Sequence, residues 1–141
     1  MKKAIACLLS VFLLVALASC SKNLTDKNDI ISLFHKNEDC FKEASASGEY
    51  NELERIKGVQ EVIIWDNYVD IQCGGSGFGP STHYYGIFFS LSDDLCAIDV
   101  ADPADELKED GNGYRYRQQN GDNEYYVEPL GNHYFYYEAH F

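Results

Sequence analysis

YRYRQQNGDNEYYVEPLGNHYFYYEAHF, residues 114–141, is the stretch with the strongest structural pattern in this chain. Aromatic residues alternate with charged ones on both sides of Asn120-Gly121, a pair typical of the two-residue type I′ turn of a β-hairpin. With that turn, Arg117 lies opposite Glu124, where the two charges are complementary. The pattern therefore predicts two antiparallel strands whose register is set by the turn.

Alternation also sorts the side chains of this stretch onto two faces of a sheet. A three-residue loop at Leu130-Gly131-Asn132 leads into the last strand and places Tyr126 opposite Tyr136. The inner face then holds Tyr114, Tyr116, Tyr125, Val127, Phe135, Tyr137 and Ala139. The outer face holds, with other residues, Arg115, Tyr126, Tyr134 and Tyr136.

These four outer residues are the candidate binding surface. Aromatic faces stack on sugar rings and anchor protein interfaces at low entropic cost, and the phenol adds a hydrogen-bonding group. An alternative stays open, because tyrosine is also a favoured strand residue. If the sheet is covered on both sides, these tyrosines form a second core.

Upstream of this stretch, the hydrophobic period changes from helical to extended near Val59. Residues 26–46 carry one apolar stripe, and Asp26 stands in a capping position, so they predict an amphipathic helix. Strands are expected at 59–65, 68–73, 84–91 and 95–100, with loops at 74–83 and 101–113. This order predicts an α+β domain, in which an N-terminal amphipathic helix packs on an antiparallel β-meander.

The N-terminus has the features of a secretory signal. Met1-Lys2-Lys3 is positively charged, residues 4–18 are almost uncharged, and the small residues Ala18-Ser19 precede Cys20. A transmembrane helix is the alternative, but a span needs about 20 apolar residues and Lys22 ends the run too early.

A cysteine directly after Leu17-Ala18-Ser19 resembles the lipobox of bacterial lipoproteins. The resemblance covers only the signal region. It implies that the Cys20 thiol receives a diacylglyceryl group and becomes the mature N-terminus, and that Ser21 directs the protein to the outer membrane where the bacterium has one. The expected location is therefore the cell envelope, on the extracytoplasmic side of a membrane.

The expected domain organisation follows from this signal sequence. Residues 1–19 form the signal peptide, 20–28 the lipidated cysteine with a solvated tether, and 29–141 a single α+β domain. Loss of Lys2 and Lys3 with the signal takes the formal charge from −12 to −14. Phosphate backbones repel such a domain, so no nucleic-acid partner is expected, whereas a neutral glycan or a cationic protein is compatible with it.

Three cysteines remain in the mature chain, in an oxidising compartment that permits one internal bridge. The expected topology favours Cys40 with Cys73 over any bridge to Cys96. None of the three has the paired spacing of a zinc site. His133 and His140 point to opposite faces of a continuous strand, so no metal and no cofactor is expected.

Two functions from different classes stay open. The first is a non-catalytic, lipid-anchored module that binds a glycan or an envelope protein through the tyrosine-rich sheet face. The second is a small envelope enzyme near the glycine-rich loop, with Cys73 and His83 as nucleophile and base. That loop lacks the Gly-Lys-Ser/Thr ending of a phosphate loop, so nucleotide binding is not expected.

Overall fold

A computed structural model describes residues 23–78, 81–98 and 107–141. The predicted signal peptide and Cys20 lie outside these ranges. Within them the chain forms two α-helices, a 3-10 helix and a seven-stranded sheet in which every strand pair is antiparallel. The predicted α+β class is confirmed. No helix in the described ranges is long and apolar enough to cross a bilayer.

The helical segment consists of two helices, α1 (Lys27–Lys36) and α2 (Glu38–Ser47), and not of one. Asn37 separates them, because its backbone leaves the helical region and its side-chain amide donates to the Leu33 carbonyl at 2.8 Å. A 3-10 helix, Tyr50–Arg55, follows after the left-handed Gly48.

The sheet is not a simple meander. Its strands are β1 (Glu61–Ile64), β2 (Val69–Phe78), β3 (Ser81–Phe89), β4 (Lys108–Asp110), β5 (Gly113–Arg117), β6 (Glu124–Gly131) and β7 (Tyr134–His140). Their order is β1-β2-β3-β7-β6-β5-β4. Two groups of consecutive strands are therefore joined where β3 pairs with β7.

The glycine-rich stretch is part of a strand and not a loop. Gly74–Phe78 completes β2 and pairs with the first residues of β3. The expected strand over 95–100 is wrong for 95–98, which form turns. The Asp94 carboxylate accepts from the Cys96 N–H at 2.9 Å, and such local side-chain bonds compete with a strand ladder. Part of the expected loop over 101–113 is β4.

The register predicted for β5 and β6 is confirmed, since Arg117 pairs with Glu124. The predicted turn type is wrong, because neither residue of Asn120-Gly121 has a positive φ. In the next hairpin Tyr126 pairs with Glu138 and not with Tyr136. The predicted three-residue loop is wrong, because Gly131 pairs with Tyr134 and only Asn132 and His133 lie between them. A bulge between Pro129 and Gly131 then shifts the pairing by one residue, so that beyond it the register differs from the predicted one by two residues and the faces stay as predicted.

Each face of the sheet carries a hydrophobic core. The predicted inner residues pack with Phe88 of β3 and with Ala97 of the turn segment. On the outer face, Tyr134 packs against Phe34 and Phe41 of the two helices, with ring centroids 5.5 and 5.2 Å away. The alternative of a second core is therefore the correct one, because the apolar stripe of the helices needs a surface to cover.

The predicted solvated tether is wrong for residues 23–28, which pack against the domain. The Leu24 N–H donates to the Cys73 carbonyl at 3.0 Å, and the Leu24 side chain is buried. The Asn23 side-chain amide bonds both the N–H and the carbonyl of Gly75, at 2.9 and 3.0 Å. Gly74 permits this approach, because a Cβ there would overlap the Leu24 carbonyl.

Candidate functional site

The helices leave one end of the outer sheet face open, and polar side chains from four strands meet there. Two rows of directly paired residues cross this end. The first row is His83, His140, Glu124 and Arg117, and the second is Tyr85, Glu138, Tyr126 and Arg115. We call the cavity of about 230 Å³ between these rows the polar groove; its lining is His83, Tyr85, Arg115, Glu124, Tyr126, Glu138, Ala139 and His140.

An imidazole pair forms the β3–β7 side of the polar groove. The rings of His83 and His140 lie 3.9 Å apart and nearly parallel, and Tyr85 is parallel to His83 at 6.4 Å. The Nε2 atom of His140 is buried and has no hydrogen-bond partner within the described part of the chain. A buried nitrogen in this state favours a bound group that donates to it or accepts from it.

Tyr126 and Arg115 form the opposite side. The Arg115 guanidinium lies 4.7 Å from the centre of the Tyr126 ring, within the range of a cation–π interaction. Its Nε atom contacts the Asp110 carboxylate at 2.5 Å, and a second nitrogen lies 3.8 Å from Glu124. Arg115 is therefore oriented by neighbours while about a quarter of its side chain remains exposed.

Tyr126 is held from the helix side as well. The Lys27 ammonium lies 4.5 Å from its ring centre and donates to its hydroxyl at 2.9 Å, and it also forms an ion pair with Glu128. Burial draws the pKa of Glu128 upward, but the hydrogen bonds from Lys27 and Tyr126 together outweigh burial and hold that pKa below its usual range. Glu128 therefore stays ionised at neutral pH and fixes Tyr126.

The polar groove continues into a second depression of about 270 Å³. Arg115, Tyr126 and Glu138 line both cavities. The second depression reaches Lys27 and Asp110 beside the β4–β5 turn. An elongated ligand with several polar groups would fit the combined shape better than a compact ion.

The predicted binding residues divide between this groove and the core. Arg115 and Tyr126 line the groove, and Tyr126, at 4% exposed, also belongs to the core beneath the helices. Tyr134 and Tyr136 are 1% and 0% exposed, so the prediction that they present a contact surface is wrong. Tyr136 supports the groove from below, because its hydroxyl donates to Glu138 at 2.8 Å.

The predicted disulfide is also wrong for the described thiols. Cys40 is exposed on α2 and Cys73 is buried in β2, and both are free. Burial, with a smaller contribution from Asp70, raises the pKa of Cys73 to about 12. A protonated, enclosed thiol cannot act as a nucleophile, and Ser76 rather than Cys73 pairs with His83. The Cys73–His83 pair predicted for an enzyme is therefore not formed.

The sequence does not assign four of the hydrogen-bonding residues of the groove to a site: Tyr85, Glu124, Glu138 and His140. Alternation along the last strand does place Glu138 and His140 on the face of Tyr136. The pairing of β3 with β7 has no local signal in the sequence, and it is this pairing that brings His83 and Tyr85 beside them.

A separate cavity, of about 730 Å³, lies away from the polar groove, between α2 and the 3-10 helix. Its lining includes Cys40, Leu53 and Ile56, and its charged residues, Glu43, Glu49, Glu52, Arg55 and Lys57, are all exposed. The polar groove is therefore the stronger candidate.

No group of three or more His, Cys, Asp or Glu side chains in residues 23–78, 81–98 and 107–141 is arranged to hold a metal ion. Comparison with protein-family models, curated proteins and solved structures found no match. The polar groove is accordingly interpreted from its own chemistry.

Proposed function

We propose that this protein is a lipid-anchored component of the cell envelope, and that its domain binds a neutral, hydroxyl-rich glycan in the polar groove without chemical change. The observation that supports the binding role is the meeting of imidazoles, carboxylates, a guanidinium and tyrosine rings in one groove. The lipobox residues before Cys20 support the anchor.

The groove chemistry matches a sugar better than an ion. Glu124 and Glu138 accept hydrogen bonds from hydroxyl groups, Arg115 donates to sugar oxygens, and the imidazoles serve in either role. Tyr85 provides a partly exposed aromatic face for stacking. The carboxylates, and the −14 charge of the mature chain, disfavour an anionic ligand.

The helical layer explains why this part of the sheet is free to bind. In our proposal, an N-terminal pair of helices packed on the antiparallel sheet buries Tyr134 and Tyr136 and stops short of His83 and His140. The groove is thus built on strands, whose rigid backbone holds the polar groups without ordering a loop on binding.

The binding experiment compares three histidine variants of the purified, lipidated protein. His83→Ala and His140→Ala should each lower retention on purified envelope polysaccharide about tenfold, the effect of losing one well-made hydrogen bond. His133→Ala is the matched control, because His133 lies at the opposite end of β7 and contacts Asp93 at 2.8 Å. Equal retention of all three variants would contradict the proposed groove.

Protease treatment of the envelope material separates the two kinds of ligand. Retention that survives digestion indicates a glycan, whereas retention that is lost indicates an envelope protein in the same groove. The envelope-enzyme alternative keeps His83 but has no nucleophile in Cys73, so no observation favours it over binding.

The anchor is tested by Cys20→Ala. Two acyl chains, at about 0.8 kcal/mol per buried methylene, make release from a bilayer negligible. We expect a palmitate analogue to label the wild-type protein and not the variant, because only the thiol is nucleophilic enough to accept the lipid. Equal labelling of both proteins would show that Cys20 is not the lipidated residue.

A further inference from the structure

From Ile71 onward, the β2–β3 hairpin differs in charge from the rest of the described residues. Residues 71–92 contain no Asp, Glu, Lys or Arg, although the whole sequence has 23 acidic and 11 basic residues. The described residues of the hairpin tip, Ser76, Gly77, Phe78 and Ser81, are all exposed. Phe78 is 95% exposed, more than any other large hydrophobic residue in the described ranges.

The N-terminal segment leaves the domain beside this hairpin. β1 pairs with β2 only as far as Gln72, and residues Asn23 and Leu24 occupy the next positions along the same edge. Leu24 bonds Cys73 and Asn23 bonds Gly75, so the chain traced from Leu24 back to Asn23 runs toward Phe78.

Chain length then limits where a lipid on Cys20 can lie. Residues 21 and 22 separate Cys20 from Asn23, and the three steps along the chain between these two residues span at most about 10 Å. Phe78 also follows Gly75 by three residues along a strand, which is about 10 Å. The chain is therefore long enough to place the lipid on Cys20 level with Phe78 at the hairpin tip.

We infer that the tip of the β2–β3 hairpin is the membrane-contacting surface of this protein, with Phe78 inserted into the bilayer interface beside the lipid. The inference rests on the proposed anchor at Cys20. An uncharged tip approaches the lipid headgroups without the cost of desolvating a carboxylate, and an aromatic ring is well suited to the interface. The polar groove then lies close to the bilayer, since His83 pairs with Ser76 of the tip.

The sequence offers an internal control for this orientation. Its single tryptophan, Trp65, is half exposed and lies at the opposite end of β2. A ten-residue strand separates that end from Phe78 by roughly 30 Å. The wild-type protein therefore carries a probe far from the tip, and the double variant Trp65→Phe/Phe78→Trp carries one at the tip.

Both lipidated proteins are reconstituted into phosphatidylcholine vesicles that contain brominated acyl chains, which quench tryptophan on contact. We expect the double variant to lose most of its fluorescence relative to unbrominated vesicles and to shift its emission to shorter wavelength, and the wild-type protein to show neither change. Equal emission of the double variant in both vesicles, or equal quenching of the two proteins, would overturn the inference.

Flotation of the vesicles distinguishes this outcome from a failure of the anchor. Protein that floats with vesicles but is not quenched at the tip is anchored in another orientation, so only the inference fails. Wild-type protein that does not float would overturn the proposed anchor and, with it, the inference.

Discussion

Asp70 is a carboxyl group buried in the inner core of the sheet, 7% exposed. The Tyr137 hydroxyl donates to one of its oxygens at 2.8 Å and the Gln72 amide to the other at 3.0 Å. Burial raises the pKa of Asp70 above its ordinary value of 3.8, by more than these two hydrogen bonds lower it. The folded protein therefore holds the Asp70 proton more tightly than the unfolded chain does.

Asp70→Asn should alter how stability depends on pH. Because the folded-state pKa is raised, the contribution of Asp70 to stability is fully present below the unfolded pKa and is lost as the pH rises through the folded value. Asparagine keeps the shape and an acceptor for Tyr137 but has no charge. In urea unfolding, we expect the free energy of unfolding of the variant, minus that of the wild-type protein, to increase from pH 4 to pH 7. A difference that stays constant over this pH range would refute the prediction.

Tyr136→Ala tests the assignment of the outer tyrosines to the core. Tyr136 is 0% exposed, and removal of such a ring should lower the free energy of unfolding by about 3–5 kcal/mol. Tyr114→Ala is the matched control, because Tyr114 is only partly buried and should cost clearly less. Similar small losses for both variants would mean that Tyr136 is a surface residue.

For single residues, the sequence predicts which face of the sheet each tyrosine occupies, but not whether that tyrosine is buried. Alternation is a property of one strand, so the separation of Tyr125 and Tyr137 from Tyr126 and Tyr136 was correct. Whether a face meets solvent depends on other elements. The helices that cover Tyr136 are distant in sequence, and the sequence of the strand does not predict their position.

The start of α1 gives a test at the scale of a single element. The Asp26 carboxylate accepts from the backbone N–H groups of Asn28 and Asp29, at 2.9 and 3.1 Å. Asp26→Ala should therefore lower the free energy of unfolding by about 1 kcal/mol in thermal denaturation. Asn28→Ala is the control, because Asn28 offers only its backbone N–H to the cap and is exposed. A loss of the same size in the control would rule out the capping explanation.

Element prediction succeeded where local chemistry agrees with the fold. The Asp26 cap and the β5–β6 register are examples, since each depends on neighbours a few residues away. The sequence predicts a loop for the glycine-rich part of β2, because glycine disfavours strands. Here the absence of a side chain at Gly74 lets the backbone of Leu24 lie close to the strand. Leu24 is about fifty residues away in the chain, so the strand sequence alone does not show why a glycine is needed.

The whole sheet depends on one seam, the pairing of β3 with β7. Seven residue pairs join these strands, and the two hydrophobic clusters on either side both include residues of the two strand groups. The polar groove also crosses this seam, through His83 and His140. Neither the seam nor the groove was predictable from sequence patterns, because pairing between distant strands leaves no periodic signal in either strand.

A single seam with shared cores should make unfolding cooperative across the two strand groups. Trp65 fluorescence reports on β1 and β2, and near-ultraviolet circular dichroism of the many tyrosines in 114–137 reports on β5 to β7. We expect the two urea transitions to coincide.

Gly86→Ala perturbs the seam itself and tests this cooperativity. Gly86 pairs with Tyr137 across the seam, and a Cβ there would lie 2.9 Å from the Tyr137 ring and 2.5 Å from the Ile71 carbonyl. Such overpacking should lower the free energy of unfolding by about 1–3 kcal/mol. Because both cores depend on the seam, we expect the fluorescence and the dichroism midpoints to fall together. A variant in which only one midpoint moves, or in which the two transitions separate, would show that the strand groups fold as independent units.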